Sequence, residues 1–142
     1  MKRMRRRFLP GGYKLRVGRS RTGLGLFAEE AIPRGACVIE YFGRRIAPEE
    51  EYTSRSKYLF SIGRNTTIDG NVKENVARYI NHSCAPNCEV ELKDHRVYIF
   101  AKRPIKPGEE FSYDYGEEYF NEHIKPKGCR CTKCSPHTSS SV

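Results

Sequence analysis

No stretch of this 142-residue chain approaches the roughly 18 consecutive apolar residues of a membrane-crossing helix. The start is basic, like the first part of a secretory signal, but Phe8-Leu9-Pro10-Gly11-Gly12 supplies no apolar segment to follow it. Export by that route is therefore not expected. Negative charge is missing from the first 28 residues. Lys2, Arg3, Arg5, Arg6, Arg7, Lys14, Arg16, Arg19 and Arg21 precede the first acid, Glu29. The remaining 17 bases match the 17 acids, so the formal charge of +9 has one address. Such a run is either a solvated tail or an electrostatic foothold on nucleic acid, or an import-like address. Aromatic residues do not interleave Lys2 to Arg7, so nothing there stacks on bases as a sequence-reading module would. Partner contact through residues 1–21 would be non-specific.

At 37% hydrophobic and 30% charged, the chain has material for a single modest core. Its six cysteines, without a secretory signal, point to reduced thiols or metal rather than a disulfide framework. Cys37, within Cys37-Val38-Ile39-Glu40-Tyr41-Phe42, reads as a buried strand residue.

Strand-like segments recur between turn signals: Tyr13 to Val17, Leu24 to Ala28, Cys37 to Phe42, Tyr58 to Ile62, Arg96 to Ala101 and Phe111 to Tyr115. Two helices are expected. Pro48 to Ser56 opens on a proline followed by three glutamates, and a short turn lies near Asn75 to Ile80, with Asn75 as its cap. Many short strands and few helices make a mostly β, β-rich α+β domain. Ala28-x-x-x-Ile32-x-x-Gly35 echoes Ala101-x-x-x-Ile105-x-x-Gly108, each leading into a strand. Residues 1–10 read as a basic flexible tail and residues 135–142 as a disordered Ser-rich one.

Three strings carry the chemistry. Arg78-Tyr79-Ile80-Asn81-His82-Ser83-Cys84-Ala85-Pro86-Asn87-Cys88 is dense in side chains that fix ligands or metals. Gly108-Glu109-Glu110-Phe111-Ser112-Tyr113-Asp114-Tyr115-Gly116 comes next, and then Cys129-Arg130-Cys131-Thr132-Lys133-Cys134. Gly23-Leu24-Gly25 after Thr22 says by itself only that backbone passes close to something. It is not a dinucleotide fingerprint, since no third glycine and no helix come after it. Singly, His82 reads as a structural histidine, Asn81 as a cap, and a strand tyrosine as packing.

In this order the strings resemble the signature of SET-domain protein lysine methyltransferases: NHSC, then GEE-x-x-[FY]-D-Y, then a cysteine-rich post-SET tail. Tyr41-Phe42-Gly43 is similar to the family's Y-x-G, Tyr58-Leu59-Phe60 to its Y-L-F, and Asp69 to an acidic residue before NHSC. The resemblance spans about Tyr13 to Cys134. It implies a SET fold of several small β-sheets with a knot-like C-terminal segment, as a SET domain over 11–120 and a post-SET zinc-binding tail over 121–134. It also implies a stand-alone domain without a pre-SET region.

What the resemblance implies for the site is specific. S-adenosylmethionine is expected at Thr22, Gly23, Leu24, Tyr58, Arg78, Asn81 and His82; the family commonly has tryptophan where Leu24 stands. Tyr115 falls on the catalytic tyrosine, Tyr113 on the Phe/Tyr position that sets product multiplicity, and Tyr41 and Tyr58 on family-matched positions that make them catalytic-site tyrosines too. Zinc is expected on Cys84, Cys129, Cys131 and Cys134. The last tail gap is two residues where the family has four, so Cys88 or His137 stand as alternatives to Cys134.

Tyrosines suit this chemistry. Lysine attacks only as the free amine, with an unperturbed pKa near 10.4. A narrow aromatic channel and a nearby sulfonium charge both lower that pKa, while phenol hydroxyls orient the lone pair and hold the reactants in line. If water carries the proton away, no His or Glu dyad is needed. A hydroxyl at Tyr113 favours monomethylation. Glu117, Glu118 and Glu122 after Tyr115 would attract a basic protein or peptide substrate such as a histone or ribosomal protein, whereas Glu109 and Glu110 read as a solvated loop. The place of action expected is intracellular, cytoplasmic or nuclear and chromatin-associated. The alternative is a non-catalytic zinc- and nucleic-acid-binding module with vestigial SET motifs.

Overall fold

The structure is a computed structural model, and it describes residues 7–51, 53–62, 66–116, 121, 124, 126, 128 and 129. Ten short strands, one helical turn and one 3-10 turn make up the described elements. Strands β1 (Leu15–Ser20) and β2 (Gly23–Ala28) form an antiparallel hairpin. Strands β3 (Cys37–Tyr41), β8 (Cys88–Lys93) and β9 (Arg96–Ala101) form an antiparallel sheet in the order β3-β9-β8. Strands β4 (Arg44–Ile46), β5 (Leu59–Ser61) and β6 (Thr67–Asp69) form another, in the order β4-β6-β5. Strands β7 (Asn81–His82) and β10 (Ser112–Tyr113) pair in parallel. Helix α1 is Pro48–Glu51, shorter than Pro48 to Ser56, and Val76–Tyr79 is the 3-10 turn.

The β8–β9 hairpin turns on Asp94 and His95, both at positive φ (52° and 62°). That pattern matches the twist of its strands at some steric cost for non-glycine residues. β8 is absent from the strand expectations although Cys88-Glu89-Val90-Glu91-Leu92-Lys93 alternates. Asn75 stands at the N-cap position, but its side chain does not cap the turn: it is fully buried, accepts the Phe42 N–H at 3.2 Å and donates to the Gly70 carbonyl at 3.0 Å.

The main core gathers Leu26, Ile32, Ile80, Val97, Ile99 and Phe111, each 1% exposed or less. A separate small cluster of Cys37, Tyr98 and Phe100 lies under Phe8, whose ring meets Tyr98 and Phe100 edge-on at 5.3 and 5.2 Å. Lys93 lies over the same ring at 4.8 Å. Among the described residues no helix is long and apolar enough to cross a membrane.

The echo between Ala28–Gly35 and Ala101–Gly108 is a physical pairing. Ile32 and Ile105 exchange both backbone hydrogen bonds, at 2.9 and 2.8 Å. Gly35 N–H donates to the Ala101 carbonyl at 2.8 Å and Gly108 N–H to the Ala28 carbonyl at 2.7 Å. Each glycine has a positive φ, 85° and 90°, which a side chain would strain. Residues 28–35 and 101–108 therefore clasp one another with near two-fold symmetry at the centre of the domain.

Candidate functional site

The second arm of that clasp delivers residues 109–116. Its first part bridges β2: the Glu109 carbonyl accepts the Ala28 N–H at 2.9 Å, the Phe111 N–H donates to the Leu26 carbonyl at 2.8 Å, and Glu110 faces Phe27. Ser112 and Tyr113 pair with β7, and Ser83 N–H adds a bond to the Tyr113 carbonyl at 3.1 Å. Side chains hold the groups that remain. Asn87, 3% exposed, donates to the Glu110 carbonyl at 2.8 Å and accepts the Ser112 N–H at 2.9 Å. An asparagine amide thereby replaces a strand partner, which satisfies backbone groups that burial would otherwise leave unpaired.

Along this segment the aromatic rings form a row. Tyr41 and Phe60 centroids are 5.2 Å apart, Phe60 and Tyr113 6.4 Å, Tyr113 and Tyr115 5.0 Å, and Tyr115 and His82 5.4 Å. The Tyr41 hydroxyl donates to the Tyr58 carbonyl at 2.8 Å, and the Tyr115 hydroxyl to the Ile80 carbonyl. Tyr41, Tyr58, Tyr113 and Tyr115 are thus brought to one place. Phe60, quoted in Tyr58-Leu59-Phe60 but not named as a site residue, is the bridge between them.

On the other side of the 3-10 turn, the Arg78 guanidinium lies 4.6 Å from the Tyr79 ring centroid and 5.8 Å from that of Tyr58. It donates to the Tyr79 hydroxyl at 2.6 Å and to the Val72 carbonyl. Its buried Nε has no partner among the described residues. Such an orphaned donor carries a desolvation cost that a ligand acceptor would relieve. Tyr79 is a further aromatic that the motifs did not single out.

Asn81 ties the NHSC segment to the glycine turn. Its Nδ2 donates to the Leu24 carbonyl at 2.9 Å, and lies 2.9 Å from Glu110 Oε2 and 3.3 Å from Ser20 Oγ. Ser20 in turn donates to Glu110 Oε1 at 3.0 Å. A Cβ on Gly25 would collide with Glu110 Oε2, so a side chain there would push this carboxylate out of the junction. Glu110 is therefore no solvated loop residue: it joins β1, β2 and β7 at one point. Glu109 is also fixed, accepting Arg103 at 2.8 Å and the Lys106 N–H at 2.8 Å. Thr22, Gly23 and Leu24 are exposed at the mouth of this junction.

A sulfur corner adjoins it. Cys84 and Cys129 Sγ are 3.9 Å apart and His82 Nε2 is 3.4 Å from Cys84 Sγ; donor atoms of all three lie within 4.8 Å of one another. Burial lowers the His82 pKa, against a smaller raising effect from Asp114. Cys88 does not belong to this corner. It is 1% exposed in the apolar core, where burial pushes its thiol up to about 12. Cys37 is likewise raised to about 11, first by burial. Cys131, Cys134 and His137, and the acids Glu117, Glu118 and Glu122, lie outside the described residues.

The sequence pattern of the SET domain matches residues 23–116, about two thirds of the chain. The chain belongs to the SET-domain family. Curated relatives include the histone-lysine N-methyltransferase trr of Drosophila melanogaster, 39% identical over 79% of this chain and 5% of its own length. The histone-lysine N-methyltransferase set1 of Dictyostelium discoideum is 40% identical over 78% of this chain and 8% of its own. The H3 lysine-4 specific histone-lysine N-methyltransferase of Schizosaccharomyces pombe is 41% identical over 83% and 14%. This SET domain thus spans a small fraction of the relatives it matches. Among solved structures, autoinhibited ctPRC2 bound to S-adenosylmethionine aligns with a TM-score of 0.67 at 31% identity, over 73% of this chain and 15% of that one.

Proposed function

We propose that this SET domain binds S-adenosylmethionine and methylates the side-chain amine of a lysine in a basic protein, adding one methyl group. The observation that carries the proposal is the aromatic row from Tyr41 through Phe60 and Tyr113 to Tyr115 and His82. It ends beside the point where Asn81 meets the Leu24 carbonyl. A lysine stem fits between rings, and a nucleoside sulfonium fits a turn whose main chain is exposed.

The cofactor supplies an electrophilic methyl group on positively charged sulfur. Thr22, Gly23, Leu24, Tyr58, Arg78, Asn81 and His82 are the residues we assign to holding it. The unpartnered Arg78 Nε and the Asn81–Glu110–Ser20 junction support that assignment. Tyr41, Tyr58, Tyr113 and Tyr115 line the lysine side. Burial between rings strips water from the ammonium and favours the neutral amine; tyrosine oxygens and the nearby carbonyls hold its lone pair in line. Tyr113 is 6% exposed and packed against Tyr115. Its hydroxyl takes room that a second methyl would need.

Zinc on Cys84, Cys129, Cys131 and Cys134 belongs to the same proposal. The Cys84–Cys129 separation suits two thiolates on one tetrahedral ion, which would tie the tail at 121–134 to the SET domain at 11–120. The parallel pairing of β10 with β7 supports a knot-like C-terminal passage. We also assign the basic run within residues 1–21 to non-specific nucleic-acid contact, and the place of action to the cell interior, on chromatin. The relatives' names support a histone tail as substrate.

A peptide array of basic lysine-containing sequences, incubated with tritiated cofactor, tests this. Mass spectrometry of the labelled peptides should show one added methyl with the wild type, and two or three with Tyr113→Phe. No label on any peptide, with no heat of cofactor binding, would leave a zinc- and nucleic-acid-binding module with vestigial motifs.

A further inference from the structure

The His82 ring touches both the sulfur corner and the main chain of Tyr115. Its side chain is 6% exposed. On one edge the Tyr115 backbone nitrogen lies 3.1 Å from Nδ1. On the other, Nε2 lies 3.4 Å from Cys84 Sγ, which lies 3.9 Å from Cys129 Sγ. Distances alone would make His82 a third metal ligand, since all three donor atoms lie within 4.8 Å. Counting hydrogens decides otherwise. A backbone N–H can only donate, so Nδ1 must present its lone pair to Tyr115. The ring's hydrogen is then on Nε2. A metal bound at Nε2 would leave the ring with no hydrogen at all, as an imidazolate.

We propose that His82 is a positioning residue joining the sulfur corner to Tyr115, and is not a metal ligand: Nδ1 holds the Tyr115 N–H while Nε2–H donates to the Cys84 sulfur. This rests on the assignment of methyl transfer to Tyr115 and of metal to Cys84. Register explains how the ring comes to bridge them. His82 is paired with Tyr113 across the parallel β7–β10 ladder, and the chain then bends so that Asp114 Oδ1 accepts the Gly116 N–H at 2.8 Å. The Asp114 carboxylate stays 3.8 Å from Nδ1, too far for a hydrogen bond, so the Tyr115 amide has that nitrogen. A hydrogen bond from the ring would steady a thiolate at Cys84, as outer donors around metal sites do. The sulfur corner thereby reaches the main chain of Tyr115 through this ring.

The test uses the full chain labelled with 15N in its histidines, of which there are four, with His82→Gln to assign the His82 signals. Long-range proton–nitrogen correlation should show hydrogen on Nε2 and a bare Nδ1, both in the metal-free and the zinc-loaded protein. Hydrogen on Nδ1 with Nε2 bound to zinc would overturn the proposal, as would hydrogen on both nitrogens. His82→Gln should lose zinc to a chelator roughly ten- to a hundredfold more readily, and its Tyr115 amide should exchange with solvent faster. Unchanged zinc retention together with unchanged Tyr115 exchange would also overturn it. The outcomes separate from those of the proposed activity. An inactive protein with hydrogen on Nε2 would contradict methyl transfer and leave this joint standing. An active one with hydrogen on Nδ1 would contradict this joint alone.

Discussion

Residues 28–35 and 101–108 make the same turn, donate the same glycine N–H to each other's alanine carbonyl, and pair at Ile32 and Ile105. Beyond the turn the two arms part ways. The first runs into β3, where Cys37, Ile39, Glu40 and Tyr41 are paired with β9. The second runs into residues 109–116, where Glu109 and Phe111 bond to β2, Ser112 and Tyr113 pair with β7, and Asn87, Ser83 and His82 hold the groups between and beyond. A ladder along one strand keeps the backbone straight over its length. A segment that changes strand partner from β2 to β7, and is held in part by side chains, bends where the site needs it and brings Tyr113 and Tyr115 beside the NHSC residues. Part of its stability is then concentrated in a few polar groups.

That concentration is open to attack, with the largest effect expected at Asn87. Asn87→Ala leaves the Glu110 carbonyl and the Ser112 N–H unpaired in a buried place and should cost about 2–4 kcal/mol, read from denaturant unfolding. A loss below about 1 kcal/mol, the worth of one ordinary hydrogen bond, would mean that the second arm holds itself. Glu110→Ala should come next. Removing the acceptor of Ser20 and Asn81 frees the Asn81 amide, and S-adenosylmethionine affinity should fall about tenfold by calorimetry, equal to about 1.4 kcal/mol. Of similar size, Gly35→Ala and Gly108→Ala should each cost about 1–2 kcal/mol from left-handed strain. Only Gly108→Ala should also weaken cofactor binding; equal effects on binding would erase the distinction between the arms.

The smallest effect concerns Glu109, whose pKa is lowered chiefly by the hydrogen bond from Arg103. A depressed carboxylate pKa contributes stability above its unfolded value and loses it as pH falls through the folded one. At this exposed pair the contribution is about 0.2–1 kcal/mol. Glu109→Gln should therefore flatten the acid side of the stability profile slightly without changing it at neutral pH by more than that.

Much of this is legible in the amino-acid sequence. Ala28-x-x-x-Ile32-x-x-Gly35 and its echo mark the clasp, and Tyr41, Tyr58, Tyr113 and Tyr115, which the family motifs group, lie together. Cys37 reads as a buried strand residue, and it is one. Glu110 is not legible, because a glutamate in Gly-Glu-Glu looks like any solvated turn; only the tight space at Gly25 and two contacts from distant strands reveal its place. Strands β4, β6 and β7 have two or three residues each, too short for any alternation to show. Asn75 stands before a helical turn, where asparagine commonly caps, whereas burial between Phe42 and Gly70 employs both ends of its amide. Cys88 lies four residues from Cys84, yet β8 carries it into the core.

In the proposed activity, methyl transfer would depend on the second arm delivering Tyr115 to a bound methyl donor. Wild type and Tyr115→Phe, each shown to be folded, should be compared for S-adenosylmethionine affinity and for methyl transfer to the best peptide substrate. The expected result is affinities within a few-fold of each other and loss of most transfer in the variant. Near-normal transfer by folded Tyr115→Phe would contradict it.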